Sequence, residues 1–149
     1  MRSLHFLPLL LCLQLCSHAQ KTPTRVHLNH IAILVVNLEQ SADFYTHIIG
    51  LDTIPEPFHD GKHVWLNIGP GLQMHIIQGA PVSRSYYKNQ HCCFSVASVE
   101  VFILMLKEKK INFEDRDGTP DAITTRVDGV KQIWLMDPDN YWVEINDAK

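Results

Sequence analysis

Two ten-residue stretches, "HIAILVVNLE" at residues 30–39 and "HCCFSVASVE" at residues 91–100, decide the fold because they repeat one pattern in the two halves of the chain. Each begins with a histidine, continues through apolar residues and ends with a glutamate nine positions later. An apolar run bounded by polar residues and followed by a helical pattern predicts a strand that leads into a helix. The chain therefore shows an internal duplication, in which equivalent positions of the two copies correspond in space.

The segments after each stretch extend this repeat. Asn37 and Ser98 are typical helix caps, and they predict helices that run to about Ile49 and Lys110. Each helix is followed by short strand-like runs separated by turn residues. In the first copy these runs are "LDTIPEPF" (51–58), "HVWLNI" (63–68) and "LQMHIIQ" (72–78). In the second copy they are "NFEDR" (112–116), "KQIWLM" (131–136) and "YWVEIND" (141–147), with a long loop and possible lid at 117–129. The sequence predicts an α+β fold in which two βαβββ modules, 26–78 and 90–147, form a single domain at 26–147.

Composition limits the class of partner. The chain has 149 residues, of which 46% are hydrophobic and 19% charged, as expected for one globular domain with its own core. A formal net charge of −3, with no stripe of lysine and arginine, offers no electrostatic surface for nucleic acid. We therefore expect a small-molecule substrate.

The first nineteen residues are typical of a secretory signal peptide. Met1 and Arg2 precede an apolar run, Leu4 to Leu15, and the segment ends at Ala19 after a small-residue pattern. The apolar run is too short to be a permanent membrane span. We expect cleavage after Ala19 and export to the periplasm or the medium.

Cleavage would leave Cys92 and Cys93 as the cysteines of the mature chain, because Cys12 and Cys16 lie in the leader. Neighbouring residues on a strand point to opposite faces of the sheet. The pair therefore fits neither a C-x-x-C zinc knuckle nor an unstrained disulfide. We predict that both cysteines are packing residues.

Four side chains in equivalent positions are candidate metal ligands. His30 and His91 open the first strand of each copy, and His75 and Glu144 lie on the last strands. Three imidazoles and one carboxylate suit a divalent Zn, Fe, Mn, Co or Ni ion. A single histidine on an apolar strand is more often a hydrogen-bonded core residue, and only the shared placement of the four favours a metal site. The remaining histidines of the mature chain lack that symmetry: His27, His47, His59 and His63.

Three segments, "LNHIAILVVNLEQSADFY" (28–45), "QMHII" (73–77) and "LMDPDNYWVEI" (135–145), resemble the vicinal oxygen chelate superfamily. This superfamily includes glyoxalase I, fosfomycin-resistance and bleomycin-binding proteins, and extradiol dioxygenases. The resemblance covers nearly the whole mature chain. It implies paired βαβββ modules that form a cupped sheet around a metal, with His30, His75, His91 and Glu144 as ligands. It also implies a homodimer in which each metal site draws two ligands from each subunit.

One position departs from the family pattern, because glyoxalases usually carry a glutamate where this chain has His75. The resemblance then leaves Glu144 as the catalytic general base. Four protein ligands leave room for one pair of vicinal substrate oxygens, which favours a lyase or isomerase of the glyoxalase I type. Trp134 and Trp142 are candidate substrate-lining residues.

Two alternatives to a lyase or isomerase stay open at this point, a dioxygenase and a non-catalytic binding protein. A triad of His30, His91 and Glu144 would match the ligand set of an extradiol-type dioxygenase. A third possibility is a non-catalytic protein that binds a small molecule such as an antibiotic.

Overall fold

The computed structural model describes residues 25–149, so the predicted leader lies outside the described residues. The first module consists of β1 (His30–Val35), α1 (Leu38–Asp43, continued by a π-helical turn at Phe44–Ile48), β2 (Thr53–Ile54), β3 (His63–Gly69) and β4 (Leu72–Gln78). The second consists of β5 (His91–Ser95), α2 (Val99–Glu108), β6 (Thr124–Thr125), β7 (Lys131–Met136) and β8 (Trp142–Asn146). The predicted α+β fold of paired βαβββ modules is confirmed.

Each module has its own four-stranded sheet. The strand orders are β1-β4-β3-β2 and β5-β8-β7-β6, with the first strand parallel to the last and the other pairs antiparallel. A parallel pair needs a crossover connection, and the path through α1 or α2 begins each crossover. In both strand orders the first strand, β1 or β5, lies at an edge of its sheet.

Both helices begin at the predicted caps. The side chain of Asn37 accepts a hydrogen bond from the backbone N–H of Gln40 at 3.1 Å, and Ser98 accepts one from Val101 at 3.3 Å. These bonds satisfy backbone donors that the first helical turn leaves free. The capping residues Asn37 and Ser98, which lie two positions before the ends of the two repeated stretches, thus direct the chain out of each first strand.

The two faces of each sheet have different chemistry. One face packs in the hydrophobic core with residues such as Ile33, Met74, Ile133 and Ile145. Because side chains alternate along a strand, the residues between them point to the opposite face, which we call the cup face. On the first module the cup face carries His30, Ala32, Leu34, Trp65, Gln73 and His75. On the second it carries His91, Cys93, Ser95, Trp134, Trp142, Glu144 and Asn146.

Some strands are shorter than the sequence predicts. β1 begins at His30 rather than near residue 26, and β2 contains only Thr53 and Ile54. Pro55 and Pro57 follow β2, and proline has no N–H to donate to a sheet.

The predicted strand at 112–116 is wrong in extent. Only isolated bridges form there, one of them between Glu114 and Trp134. The carboxylate of Asp115 accepts hydrogen bonds from the backbone N–H groups of Asp117 and Thr119 at 2.9 and 2.8 Å, which turns the chain away from the sheet. The short strand β6 lies instead within the segment predicted as loop at 117–129.

The turn at residues 137–140, "DPDN", joins the two modules. Asp137 accepts a hydrogen bond from the hydroxyl of Tyr45 at 2.9 Å. Asp139 accepts one from the hydroxyl of Ser41 and one from the backbone N–H of Val36, both at 2.8 Å. The two carboxylates are almost fully buried, and burial raises the pKa of Asp137 to about 6. The turn therefore anchors the start of β8 to the first module.

No helix within residues 25–149 is both long and apolar enough to cross a membrane.

Candidate metal centre

The candidate ligands occupy the same register in the two sheets. His75 pairs with Ala32, two residues after His30, and Glu144 pairs with Cys93, two residues after His91. The duplication read from the sequence is therefore also a duplication of positions on the cup face.

In the second module, His91 and Glu144 lie in direct contact. The Nε2 atom of His91 is 3.0 Å from Oε2 of Glu144, and Nδ1 is 2.7 Å from the backbone carbonyl of Lys88. A carbonyl oxygen only accepts, so Nδ1 carries a hydrogen, and in a neutral ring Nε2 would then present its lone pair to the carboxylate. Two acceptors at this distance need a cation between or beside them, either a proton or a metal ion. The donor set therefore fits a divalent metal, with the Lys88 carbonyl orienting the imidazole.

Polar neighbours fix the carboxylate of Glu144, which is only 7% exposed. Its Oε1 atom accepts a hydrogen bond from the side-chain amide of Asn146 at 3.0 Å. The amide oxygen of Asn146 in turn accepts one from the hydroxyl of Ser95 at 3.0 Å. This chain of bonds leaves Oε2 directed towards His91.

In the first module, the imidazole of His75 lies between two other rings. Its centroid is 4.3 Å from that of His30 and 4.0 Å from that of Trp65, and the ring planes differ by 12° and 6°. His75 Nε2 lies 3.0 Å from the side-chain oxygen of Gln73, and His30 Nδ1 lies 2.8 Å from that of Asn29. Burial, followed by the charges of His30 and His63, lowers the pKa of His75 and favours its neutral form.

This stack limits how the first module can hold a metal. The lone pair of an imidazole nitrogen lies in the ring plane, so two nearly parallel rings 4.3 Å apart cannot both direct lone pairs at one ion. Either His30 or His75 can bind as placed, and joint binding requires one ring to rotate.

The structure thus brings the four candidates together as two pairs, His30 with His75 and His91 with Glu144. Within residues 25–149, no group of three or more His, Cys, Asp or Glu side chains is placed to hold a metal ion. The four-ligand site stays a prediction, and each module holds one pair of candidate donors, which we call a half-site.

The cysteine pair has the properties of packing residues. Cys93 Sγ accepts a hydrogen bond from the Asn146 amide at 3.1 Å, and burial followed by the charge of Glu144 raises the pKa of Cys93 to about 12. Burial also raises the pKa of Cys92, which points to the opposite face. Both thiols are therefore poor sources of the thiolate that nucleophilic and metal chemistry require.

The sequence interpretation missed Trp65, which is the first-module equivalent of Trp134. Trp65 pairs with His75, and Trp134 pairs with Glu144. Both indole Nε1 atoms are buried and lack a hydrogen-bond partner among the described residues. The sequence contained this equivalence, because a Trp-Leu pair lies on the third strand of each module, in "HVWLN" (63–67) and in "KQIWLM" (131–136).

A cavity of about 570 Å³ lies beside the second half-site. Trp134 and Trp142, the two predicted substrate-lining residues, form part of its wall, together with Phe113, Pro120 and Met136. Its polar lining includes Glu114 and Asp121. The substrate-binding role of the two tryptophans stays a prediction.

Lys88 holds this wall together, and no motif in the sequence pointed to it. Its ammonium forms an ion pair with Glu114 and donates to the backbone carbonyls of Asp115 at 3.0 Å and Arg116 at 3.3 Å. It also lies 4.8 Å from the ring centroid of Trp142. One residue therefore orients His91 through its carbonyl and fixes the neighbouring loop through its side chain.

Comparison with known proteins identifies the family. Residues 27–145 match the family model of the Glyoxalase/Bleomycin resistance protein/Dioxygenase superfamily. The chain belongs to this superfamily, whose members commonly use divalent metals, are typically dimeric and bind small molecules.

Its relatives differ in activity. The mitochondrial methylmalonyl-CoA epimerase of Homo sapiens is 32% identical over 96 residues, which cover 56% of this chain and 54% of that protein. The lactoylglutathione lyase of Schizosaccharomyces pombe (strain 972 / ATCC 24843) is 26% identical over 148 residues, covering 79% of this chain and 46% of that protein. The chain thus spans about half the length of the curated relatives it matches. Among solved structures, Oxidase ChaP-H1 has a TM-score of 0.67 and 26% identity, over 84% of this chain and 98% of that one.

Proposed function

We propose that the protein is a metal-dependent lyase or isomerase of the glyoxalase I type that acts on a small substrate with vicinal oxygens. The observation that carries this proposal is the contact of His91 Nε2 with Glu144 Oε2 at 3.0 Å, with the imidazole already oriented by the Lys88 carbonyl. An epimerase and a lyase among its relatives support the reaction class.

The proposed active form is a homodimer. Each half-site supplies two donors, so a four-ligand site requires the first module of one copy to face the second module of its partner. The edge strands leave their cup faces open for such a partner, since His30, Ala32 and Leu34 on β1 are exposed. His91 and Cys93 on β5 are exposed as well.

In this mechanism Glu144 moves the proton. A bound divalent metal would polarise the two vicinal oxygens and acidify the adjacent carbon. The Glu144 carboxylate would leave the metal, take the proton from that carbon through Oε2 and return it at the end of the rearrangement. Asn146 holds the other carboxylate oxygen at 3.0 Å, which keeps the base oriented through both transfers. The residues that would hold the metal are His30, His75, His91 and Glu144.

A second candidate is an extradiol-type dioxygenase with His30, His91 and Glu144 as the ligand triad. The stacked geometry of His75 favours it, because its Nε2 contacts Gln73 and its ring lies nearly parallel to that of His30. The likeness to an oxidase at 26% identity supports the same reading. A non-catalytic binder of small molecules is the third candidate.

Metal analysis of the purified protein tests these candidates. We expect one divalent metal per chain in the wild type, little metal in His91→Ala, and reduced metal in His75→Ala. His47→Ala is the matched control, since its imidazole is 69% exposed on the far end of α1. Full metal content in His75→Ala would instead support the triad, and bound iron with catechol turnover would establish it. A wild type without stoichiometric metal would leave only the binder.

We also propose that the protein is exported after cleavage behind Ala19. N-terminal sequencing of the native protein should give Gln20 as the first residue. A native protein that begins at Met1 would refute this proposal.

A further inference from the structure

We propose that the cavity beside Glu144 binds the body of the substrate and selects an uncharged compound of aromatic-ring size, rather than an anionic thioester or peptide conjugate. This inference deepens the proposed function, on which it rests for the place where the chemistry occurs. The cavity volume of about 570 Å³ is within the range of about 300–1,000 Å³ that is usual for small-molecule sites.

The position of the cavity connects it to the half-site. Trp134 pairs directly with Glu144, and Trp142 pairs directly with His91. The rings of His91 and Trp134 meet edge to face, with centroids 6.1 Å apart. The cavity therefore adjoins the second half-site through its two tryptophans, which are the cross-strand neighbours of Glu144 and His91.

The wall favours a planar, apolar occupant. Phe113, Met136 and the two indoles supply apolar and aromatic surface, which binds rings by stacking and burial. Trp134 is 4% exposed, and its indole Nε1 has no acceptor among the described residues. The protein encloses this nitrogen, so Trp134 would contact a ligand through its ring surface.

Charge at the cavity disfavours anions. Glu114 and Asp121 line it, and the segment 114–121 carries four acidic residues against one arginine. The ammonium of Lys88 is already engaged by the Glu114 carboxylate and by two backbone carbonyls. Arg126, which lies near enough to Cys93 to lower its pKa slightly, is paired with Asp128 at 2.6 Å. An anionic ligand would therefore meet the Asp121 carboxylate and a Lys88 ammonium that Glu114 already neutralises.

Two probes that share one ring system test this inference by calorimetric titration. 2-Naphthalenemethanol is uncharged, and 2-naphthoate places a carboxylate on the same ring. We expect the alcohol to bind and the carboxylate to bind about ten-fold more weakly or worse, because like charges repel within the partly desolvated cavity. Coenzyme A, a polyanion, should show no measurable binding.

Variants of cavity residues test whether the cavity causes the expected difference in binding between the two probes. Asp121→Asn should improve 2-naphthoate binding several-fold, since it removes a carboxylate from the cavity lining without breaking the Lys88–Glu114 ion pair, and should leave the alcohol nearly unchanged. Asparagine suits position 121, where φ is +58°. Trp134→Leu should weaken the alcohol several-fold, while Asp43→Asn on the exposed end of α1 should change neither probe. Equal binding of both probes, or tight binding of coenzyme A, would overturn the inference.

The titrations need neither metal nor turnover, so they separate the two proposals. They are made with the protein as purified and again after dialysis against a chelator. Alcohol binding by a protein that never holds metal would refute the proposed function and keep this inference. Metal-dependent turnover of an anionic thioester would support the proposed function and refute this inference.

Discussion

The hydroxyl of Tyr45 donates a hydrogen bond of 2.9 Å to Asp137, although 92 positions separate the two residues in the sequence. Both side chains are buried, and the bond joins the helical segment of the first module to the turn before β8. The segment "DPDNYWVE", part of one of the three that carry the family resemblance, therefore has a structural role beyond carrying Glu144. Its aspartates hold the two modules in a fixed relation.

The burial of Asp137 predicts a pH-dependent stability. Because burial raises its pKa from 3.8 to about 6, the folded protein keeps a proton in this range that the unfolded chain has released. The stabilisation from this carboxyl is fully present below pH 3.8 and is lost as the pH rises through 6. It amounts to about 3 kcal/mol.

Asp137→Asn should remove that dependence, since the amide stays neutral and its oxygen can still accept from the backbone N–H groups of Asp139 and Tyr141. Urea unfolding between pH 4 and pH 7 should give a flatter profile for the variant than for the wild type. Asp52→Asn, an exposed position before β2, is the control. A wild-type profile in Asp137→Asn would contradict the prediction.

Removal of the Asp139 carboxylate should be costly. Asp139→Ala leaves the partly buried Val36 N–H and the buried Ser41 hydroxyl without their acceptor, and we expect a loss of about 2–4 kcal/mol in the free energy of unfolding. Ser41→Ala should cost about 1 kcal/mol. The double variant should cost less than the sum of the two, because both changes break one bond. Additive losses in denaturant titrations would show that this bond does not couple the modules.

Lys88→Met should loosen the loop beside the second half-site. The variant loses the ion pair with Glu114 and the bonds to the carbonyls of Asp115 and Arg116. Amide hydrogen exchange at Gly118 and Asp121 should become faster, by the equivalent of about 1–3 kcal/mol in local stability. Lys88→Arg keeps the charge and should show a smaller change. Unchanged exchange in Lys88→Met would mean that backbone bonds alone hold the loop.

The thiol of Cys93 should react slowly despite its surface position. With its pKa raised to about 12, mainly by burial, only a trace is thiolate at pH 8. In chelator-treated protein, alkylation by iodoacetamide should be at least about 30-fold slower than that of glutathione. The same reaction with a Cys93→Ser variant separates alkylation at Cys93 from alkylation at Cys92. Alkylation at the glutathione rate would point back to a thiol site.

The sequence predicted the fold well where local and repeated signals agreed. β5 begins at His91, the first residue of its repeated stretch, and the helices begin after the predicted caps Asn37 and Ser98. The strand at 112–116 failed because the Asp115 side chain bonds to nearby backbone, a local competition that a β-rich pattern does not reveal.

The candidate site was only partly predictable. Equivalent positions in the repeat identified His30, His75, His91 and Glu144, but they could not tell that the first pair would stack ring on ring. Trp65 could have been found from its match to Trp134. Lys88 could not, because its role depends on the meeting of two loops that are distant in sequence.

The difference between the half-sites has a stereochemical consequence. The first module offers two imidazoles and the second offers an imidazole and the only candidate carboxylate, so an assembled site would have its proposed carboxylate base on one wall. Glu144 would then return a proton to the face of the substrate carbon from which it was taken. Net inversion at that carbon would require a second proton donor on the opposite wall, where His30 and His75 lie. The configuration of the product, followed with a deuterated solvent, would therefore reveal whether one wall or both take part.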